Sequence, residues 1–589
     1  MTLELPPEPL SSRQRTIVIV LALLCAATRF LAMARSLWDW DEALFMLGMR
    51  DYDVTQHHPH PPGFPVYIGI ARLLRFVIGS DFRSLQAVNL IAAILVFPAL
   101  FFFARELRLR FSTCAIAATL FAFFPNVWFF GGGAFSDVPS IVLVLFAITF
   151  LLRGVRDRNA YFFGTLLLAL AIGIRPQNFL LGLIPGLIAT RRRKPLEIFA
   201  ALMIGLVVVG VAFGAAISAT GSLDDYLRVV REHGDYISRI DSWRSDVRPP
   251  MWRLFDRFFI KQYQSPPLSI LASILAIISV VMSIRERNRS MLINALTFVP
   301  FAIVAWMMLD RFSISRFSIG YQPMFAIFVA DGIYRIARRK PMLEAAIATL
   351  LIGAFIVFTL PALTPVRNEV APSIVAARAV AQHVDPRRDQ LFVGHTMSKF
   401  VDLVLPGMPY TRVLDDRALP LASNGHAWLL AEMTETGDEG FVFHREHGHL
   451  WNIARRHYFD IKLAPVTRRA QFVSGWYSAE SMDIHQWRWM SRRSVTVLPA
   501  ARGKTMLRLH FGIPGEVMAK NPKITVKLNG RVVDELRTTA GFVERDIRVM
   551  PAPGNLPNVL ELSIDRTVTP ADDGRELGLR LRYLAWGPS

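Results

Sequence analysis

Cysteine is nearly absent: Cys25 and Cys114 are the only two in 589 residues, and both lie in apolar runs. Two such thiols build neither a disulfide framework nor a thiolate zinc site. The chain has no Walker-type sequence and no Gly-X-Gly-X-X-Gly fingerprint, so neither of those nucleotide-phosphate cradles is expected. It has no internal repeat and no low-complexity tract. Charge is also sparse, at 19% of residues, and it is one-sided, with a net +19. That excess does not point to nucleic acid, because the arginines fall in short clusters between apolar runs, the pattern that sets membrane orientation.

What the chain has in abundance is apolar sequence. Hydrophobic residues make up 52% and the mean hydropathy is +0.35, too high for a soluble protein. A bilayer needs roughly 20 consecutive apolar residues per helical span. Ile17 to Ala34 is too long, and lacks the small-residue cleavage pattern, for a removable signal peptide. It reads as a permanent first span. Further spans are expected near 85–104, 112–130, 136–152, 161–174, 177–190, 196–219, 266–284, 291–309, 317–336 and 343–361. The segment Gly63–Gly79 is short and carries Arg72 and Arg75, which predicts an interfacial or re-entrant helix.

Charge tests that choice. If Gly63–Gly79 does not cross, five basic clusters share one side: Arg105/Arg108/Arg110, Arg153/Arg156/Arg158, Arg191 to Lys194, Arg285/Arg287/Arg289 and Arg335 to Lys340. The positive-inside rule makes that side cytoplasmic. The acid-rich first loop, the Gly131–Asp137 turn, the turn at Arg175, the loop Gly221–Pro266 and the Asp310–Arg316 turn then face outward. So does everything after Pro361. The long outer loop suits amphipathic helices, and the stretch beginning Asp225-Tyr226-Leu227-Arg228 fits one.

After Pro361 hydropathy falls. Helix-like Ala371–Val384 and strand-like Gln390–Gly394 and Gly440–His444 predict a small α/β region. Beyond Gln471 short strands recur: Ser494–Leu498, Met506–Phe511, Ile524–Leu528, Arg545–Val549 and Val559–Ile564. Asn529-Gly530 is a hairpin signal, and the set suggests a β-sandwich of jelly-roll type. The expected fold is thus a polytopic α-helical membrane protein of about 11 spans over residues 1–362, an extracytoplasmic α/β domain over 363–467 and a β-sandwich over 468–589.

The chemistry gathers in the outer turns. The first loop reads Trp38-Asp39-Trp40-Asp41-Glu42, and carboxylates beside a bilayer mark a functional site by default. A deprotonated Asp41 within hydrogen-bond reach can take a proton from an acceptor hydroxyl. Asp39 and Asp41 form an Asp-X-Asp pair with hard oxygen ligands suited to a divalent metal cation. Asp39 as N-cap with Glu42 three residues on also reads as a capping box. His57, His58 and His60 are spaced for a metal, for donation to a substrate phosphate or hydroxyl, or for a plain polar turn stiffened by the neighbouring prolines. Arg175, Arg311 and Arg316 present planar forks that pair with phosphate oxygens, or snorkel to headgroups. Asp137 either caps the helix it begins or lines the cleft.

These residues in this order resemble the GT-C superfamily of polyprenyl-phosphate-sugar glycosyltransferases, in the branch of protein O-mannosyltransferases and lipid A aminoarabinose transferases. The likeness is carried by Trp40-Asp41-Glu42-Ala43-Leu44-Phe45, by His60-Pro61-Pro62-Gly63-Phe64-Pro65-Val66-Tyr67, by Gly173-Ile174-Arg175-Pro176 and by Ser315-Arg316-Phe317 through Pro323. It implies an inverting transfer with Asp41 as base, Glu42 in support and basic residues on the lipid phosphate. The implied partners are a polyprenyl-phosphate-linked sugar, membrane lipid and a glycan, lipid or protein acceptor. The implied home is a bacterial-type inner membrane. Metal use varies in that superfamily, so no cofactor is fixed. A transporter or flippase of lipid-linked glycans is the alternative from another class. It predicts charges at span centres and paired broken helices, whereas here polar groups gather at the outer ends. An adhesion protein anchored by its spans is a third reading, for which so many spans are excessive.

Overall fold

The computed structural model describes residues 5–240, 252, 255–308, 314–338, 340–413, 427–432, 441–444, 460–465, 470–482, 485–501, 503–554, 556–570 and 573–588. They divide into two compact units, one running through Val370 and one beginning at Ala371.

The first unit is helical. In order come α1 (Ser12–Arg29), α2 (Trp40–Arg50), α3 (Pro65–Ile78), α4 (Asp81–Glu106), α5 (Phe111–Phe123), α6 (Pro125–Phe130), α7 (Asp137–Arg153), α8 (Arg158–Ile174), α9 (Phe179–Thr190), α10 (Pro195–Thr220) and α11 (Leu223–Ile240). Helices Pro266–Arg285, Arg289–Met308, Gln322–Ile336 and Pro341–Asn368 follow. Among the described residues five segments are long and apolar enough to cross a membrane, Ser12–Ala32, Asp81–Glu106, Pro195–Thr220, Pro266–Arg285 and the run opening at Pro341. A chain with these helices is an integral membrane protein.

Two expected spans are interrupted. The one near 112–130 breaks between α5 and α6, because Pro125 has no N–H to give and fixes the start of a new helix. The one near 317–336 becomes a helical turn at Ser318–Gly320 followed by a helix from Gln322, with Pro323 in its first turn. Helix α3 has 14 residues, about 21 Å of rise, too short to cross. Phe76 and Val77 near its end are 87% and 88% exposed, an apolar surface suited to the membrane interface.

The basic clusters meet at one end of this unit. Arg156 binds Glu106 at 2.6 Å. Arg193 donates to the Val155 carbonyl at 3.2 Å. Arg110 lies over the Tyr334 ring at 4.1 Å, and Arg335 pairs with Glu286 at 2.9 Å. Contacts thus join all five clusters, as the charge argument requires.

The outer turn between α6 and α7 is built on glycine. Gln86 on α4 donates to the carbonyls of Ala34 and Gly132 at 2.9 and 2.7 Å. One turn on, Asn89 donates to Phe130 and Gly133 at 2.6 and 2.7 Å. The turn packs so closely that a Cβ at Gly132 would lie 1.7 Å from the Ala32 carbonyl oxygen.

In the second unit, helices Pro372–His383 and His395–Val404 accompany a five-stranded sheet of β1 (Gln390–Gly394), β2 (Thr411–Val413), β3 (Ala427–Glu432), β4 (Phe441–His444) and β5 (Asp460–Pro465). Its order is β2-β1-β3-β5-β4, parallel over the first three and antiparallel after. Then come β6 (Gln471–Met482), β7 (His485–Leu498), β8 (Thr505–Gly512), β9 (Lys523–Leu528), β10 (Arg531–Arg537), β11 (Phe542–Val549), β12 (Asn558–Ile564) and β13 (Arg580–Pro588).

These eight strands form one sheet, β10-β9-β12-β7-β13-β8-β11 with β6 on β7, rather than two separately laddered layers. Alternate residues of β7, β8, β9, β11, β12 and β13 enter a single core with Phe472 and Trp476 of β6. The sheet therefore curls over itself, and its outermost strands meet where Arg545 grips Asp534 with both arms at 2.7 and 2.8 Å. Asn529 and Gly530 both adopt positive φ at the β9–β10 turn, as an Asn-Gly hairpin demands.

Gly132→Ala should cost about 1–3 kcal/mol of folding stability by overpacking the turn. Thermal unfolding in detergent should show a lower midpoint; an unchanged midpoint would refute the close-packed turn.

Candidate active site

The charged residues of four turns meet in one place. Asp39 caps α2, its Oδ1 accepting the Asp41 N–H at 2.9 Å. Glu42 closes the capping box. Its Oε2 accepts from the N–H groups of Trp38 and Asp39 at 2.6 and 3.0 Å, and its Oε1 from the N–H of Ala134 at 2.7 Å. Glu42 thus fastens the first loop to the Gly131–Asp137 turn. A Cβ at Gly133 would stand 2.6 Å from Glu42 Oε1, so glycine is needed there. Burial pushes the Glu42 carboxyl up to about 7, against the pull of its three N–H donors.

Arg316, on the short helix Ile314–Phe317, is buried among carboxylates. Its Nη2 pairs directly with Asp41 Oδ2. Its Nε lies 3.6 Å from Asp137 Oδ2 and its Nη1 3.9 Å from Asp39 Oδ1. Phe135 and Phe317 flank the guanidinium at 5.4 and 5.9 Å. Burial works against this charge, but Asp41, Asp137 and Asp39 outweigh it and hold the Arg316 pKa above its ordinary value.

Arg175 reaches the same Asp137 Oδ2 with Nη2 at 2.9 Å and donates from Nε to Ser136 Oγ at 3.0 Å. Burial lowers its pKa, with Asp137 opposing. Asp137 stands in the first turn of α7, where Ser136 is the N-cap and no side chain caps the helix; its carboxylate bridges both arginines instead.

The histidines separate. His60 packs among the rings of Phe64 at 4.8 Å, Phe45 at 5.8 Å and His233 of α11 at 6.0 Å. Burial pushes its pKa down to about 3, only partly offset by Asp41, so it is neutral at physiological pH. His57 takes a left-handed turn conformation and meets His233 at 5.9 Å. His58 bridges to Asp53, with Nδ1 4.0 Å from Asp51. Arg311 lies outside the described residues.

The Asp-X-Asp pair is engaged by an arginine in this structure. Asp39 and Asp41 both face the Arg316 guanidinium, and among the described residues no three His, Cys, Asp or Glu side chains converge as a metal site.

Beside the cluster lies a small hollow lined by Asp137, Ser140, Arg175, Asn178, Arg316 and Phe317 among others. A second small hollow is lined by Trp38, Asp39, Glu42, Phe129, Phe130 and Phe135 with three smaller neighbours. Sequence reasoning missed Ser136, Phe135, Gln86 and Asn89. The signal was there: two amides one turn apart in an apolar helix, and three consecutive glycines in an outer turn.

No family model matches the chain, and no curated protein matches it by sequence. Among solved structures it is similar to ArnT from Cupriavidus metallidurans bound to undecaprenyl phosphate, at 13% identity and TM-score 0.49, over 76% of this chain and 97% of that one. The apo form of that protein gives 12% identity and TM-score 0.49, over 77% and 99%. An Archaeoglobus fulgidus oligosaccharyltransferase in complex with zinc and sulfate gives 12% and 0.41, over 66% and 61%. With TM-scores below 0.5, none of these adds to the reading of the site, which rests on its own geometry.

The raised Glu42 pKa has a pH signature. A carboxyl at about 7 in the folded state and near 4.5 when unfolded keeps its proton longer when folded. Its contribution to stability therefore falls as pH rises from about 4.5 to about 7 and is flat on either side. Glu42→Gln should abolish that slope in a thermal-stability series against pH. It should also lower stability by about 1–3 kcal/mol, because an amide nitrogen cannot accept the N–H groups it meets. Parallel curves for parent and variant would refute the assignment.

Proposed function

We propose that this chain is an integral membrane glycosyltransferase that moves a sugar from a polyprenyl-phosphate carrier to an envelope acceptor, at the extracytoplasmic face of a bacterial-type inner membrane. The observation that carries this reading is the ion pair between Asp41 and Arg316, with Arg175 and Asp137 beside it, next to a hollow. A lipid-linked sugar phosphate needs cations for its phosphate, an aqueous carboxylate for the acceptor and lateral access to lipid. The cluster supplies the first two, and the surrounding apolar helices supply the third. The resemblance of the first loop and of the Arg175 and Arg316 turns to GT-C enzymes supports the same reading.

The donor phosphate sits on Arg316 and Arg175, and the polyprenyl tail runs out along the apolar helices. Arg316, weakly hydrated and forked, exchanges Asp41 for a phosphate oxygen. Asp41, released, accepts the proton of the acceptor hydroxyl. That oxygen bonds to the anomeric carbon from the face opposite the phosphate. The bond from anomeric carbon to phosphate oxygen breaks, and polyprenyl phosphate leaves with its electron pair, held by Arg316 and Arg175. Asp137 keeps the two guanidinium groups side by side. Glu42 holds the loop and Asp39 caps it. His60, neutral and buried, shapes the wall. The domains after Pro361 stand outside the cell with the acceptor, which is a glycan, a lipid or a protein.

Purified protein given a panel of undecaprenyl-phosphate sugars should consume at least one of them. Asp41→Asn should lower turnover by about 10²–10⁴-fold, the worth of general base catalysis, with the protein still folded. Equal turnover by parent and variant would overturn the role of Asp41. Arg316→Lys should raise the donor KM more than it lowers kcat, because the ammonium keeps the charge and loses the fork. It is preferred to alanine, which strands buried carboxylates at a cost of about 3–5 kcal/mol. An unchanged donor KM would remove Arg316 from phosphate binding.

A further inference from the structure

The outer face of the curled β-sheet carries a built groove. Strand register aligns four residues in one row across β11, β8, β13 and β7: Phe542 opposite Gly512, Gly512 opposite Arg580 and Arg580 opposite Trp489. Their strand neighbours Phe511, Leu581 and Met490 enter the core, so period-2 alternation turns this row outward. With strands about 4.8 Å apart, the row spans roughly 14 Å from Phe542 to Trp489.

Its middle is low. Gly512 has no side chain, and a Cβ there would stand 3.2 Å from Arg580 Nε. Arg580 therefore lies flat across β8. The rings of Trp487 and Trp489 flank its guanidinium at 5.5 and 5.6 Å. Those two indoles are half-buried and sit about 7 Å apart along β7, forming one wall. Phe542, 43% exposed, forms the other, with the exposed Arg582 over its ring at 5.7 Å. Two nearby charges of the face are matched, Arg508 by Asp546 at 3.6 Å and His510 by Glu544 at 3.8 Å. Among the described residues neither Arg580 nor Arg582 has a carboxylate partner within ion-pair distance.

A trough with flat aromatic walls and two unmatched guanidinium groups suits a ligand with apolar ring faces, hydroxyl edges and negative charge. We infer that this groove binds an anionic polysaccharide, its sugar rings against Trp487 and Trp489 and its acidic groups on Arg580 and Arg582. Indoles offer broad apolar faces to a pyranose at little conformational cost, and arginine takes carboxylate or phosphate bidentately. This goes beyond the transfer reaction, because the groove lies wholly in the second unit and its occupant need not react.

The test uses the full chain, purified in a polyoxyethylene detergent so that no detergent sugar competes. Polygalacturonate is the probe, dextran the neutral control and phosphatidylglycerol vesicles the lipid control. The parent should bind polygalacturonate at least tenfold more tightly than dextran. Arg582→Glu, an exposed change that spares the fold, and Trp489→Ala should each weaken that binding tenfold or more. The inference is overturned if the parent ignores polygalacturonate or binds dextran equally. It is equally overturned if Arg582→Glu changes nothing, or if Trp489→Ala folds and binds like the parent, which would leave a mere patch of charge. Vesicle binding that falls in parallel with the same substitutions would reassign the face to lipid. Polygalacturonate binding bears on the groove alone, and turnover of a lipid-linked sugar bears on the active site alone.

Discussion

Three carboxylates and two guanidinium groups are held out of bulk water at one end of a helical bundle, and the rest of the site takes its form from that arrangement. A lone buried charge would be expelled or neutralised. Here Asp137 receives both arginines, Asp41 receives one, and Asp39 spends an oxygen on the helix it caps. Glu42 lies at the edge of the same cluster and resolves its own burial differently, through three backbone N–H donors. The consequence is rigidity. Loops separated by as many as 275 residues are fixed to one another before any substrate arrives.

That rigidity also explains the outer loop's composition. Gly63 takes a positive φ, and Tyr52 donates to its carbonyl at 2.8 Å. Tyr226 of α11 donates to the Pro62 carbonyl, also at 2.8 Å, and His233 lies against both His57 and His60. Helix α11 therefore braces the segment that leads into α3. His57 and His60 both pack against His233 in this structure.

Much of this was legible in the residues. The Asp39–Glu42 capping box depends only on local spacing, and it forms. The interfacial nature of α3 followed from its length and its two arginines. The common side of the five basic clusters followed from charge. What was not legible depends on contacts distant in sequence. Nothing near Glu42 announces Ala134 as its partner, and nothing near Asp137 says that it will serve two arginines at once. The break at Pro125 was visible as a proline but hidden by the unbroken hydropathy around it. In the second unit, β6 escaped because its pairing with β7 shifts register three times, which erases the alternation a strand is read by. β13 escaped because Arg580 and Arg582 make it look like a charged turn, when they are the outward half of a strand.

The closure of the β-sheet has a consequence for its edges. An open sheet offers its last strand as a template for any passing extended chain. Here the two terminal strands face each other across Asp534 and Arg545, so each edge is flanked by the other strand although no backbone ladder joins them. The latch is a side-chain pair, with Arg545 41% exposed and Asp534 13%, rather than a ladder of amide bonds. Such a pair weakens as ionic strength rises, whereas the apolar core shared by the strands keeps the curl.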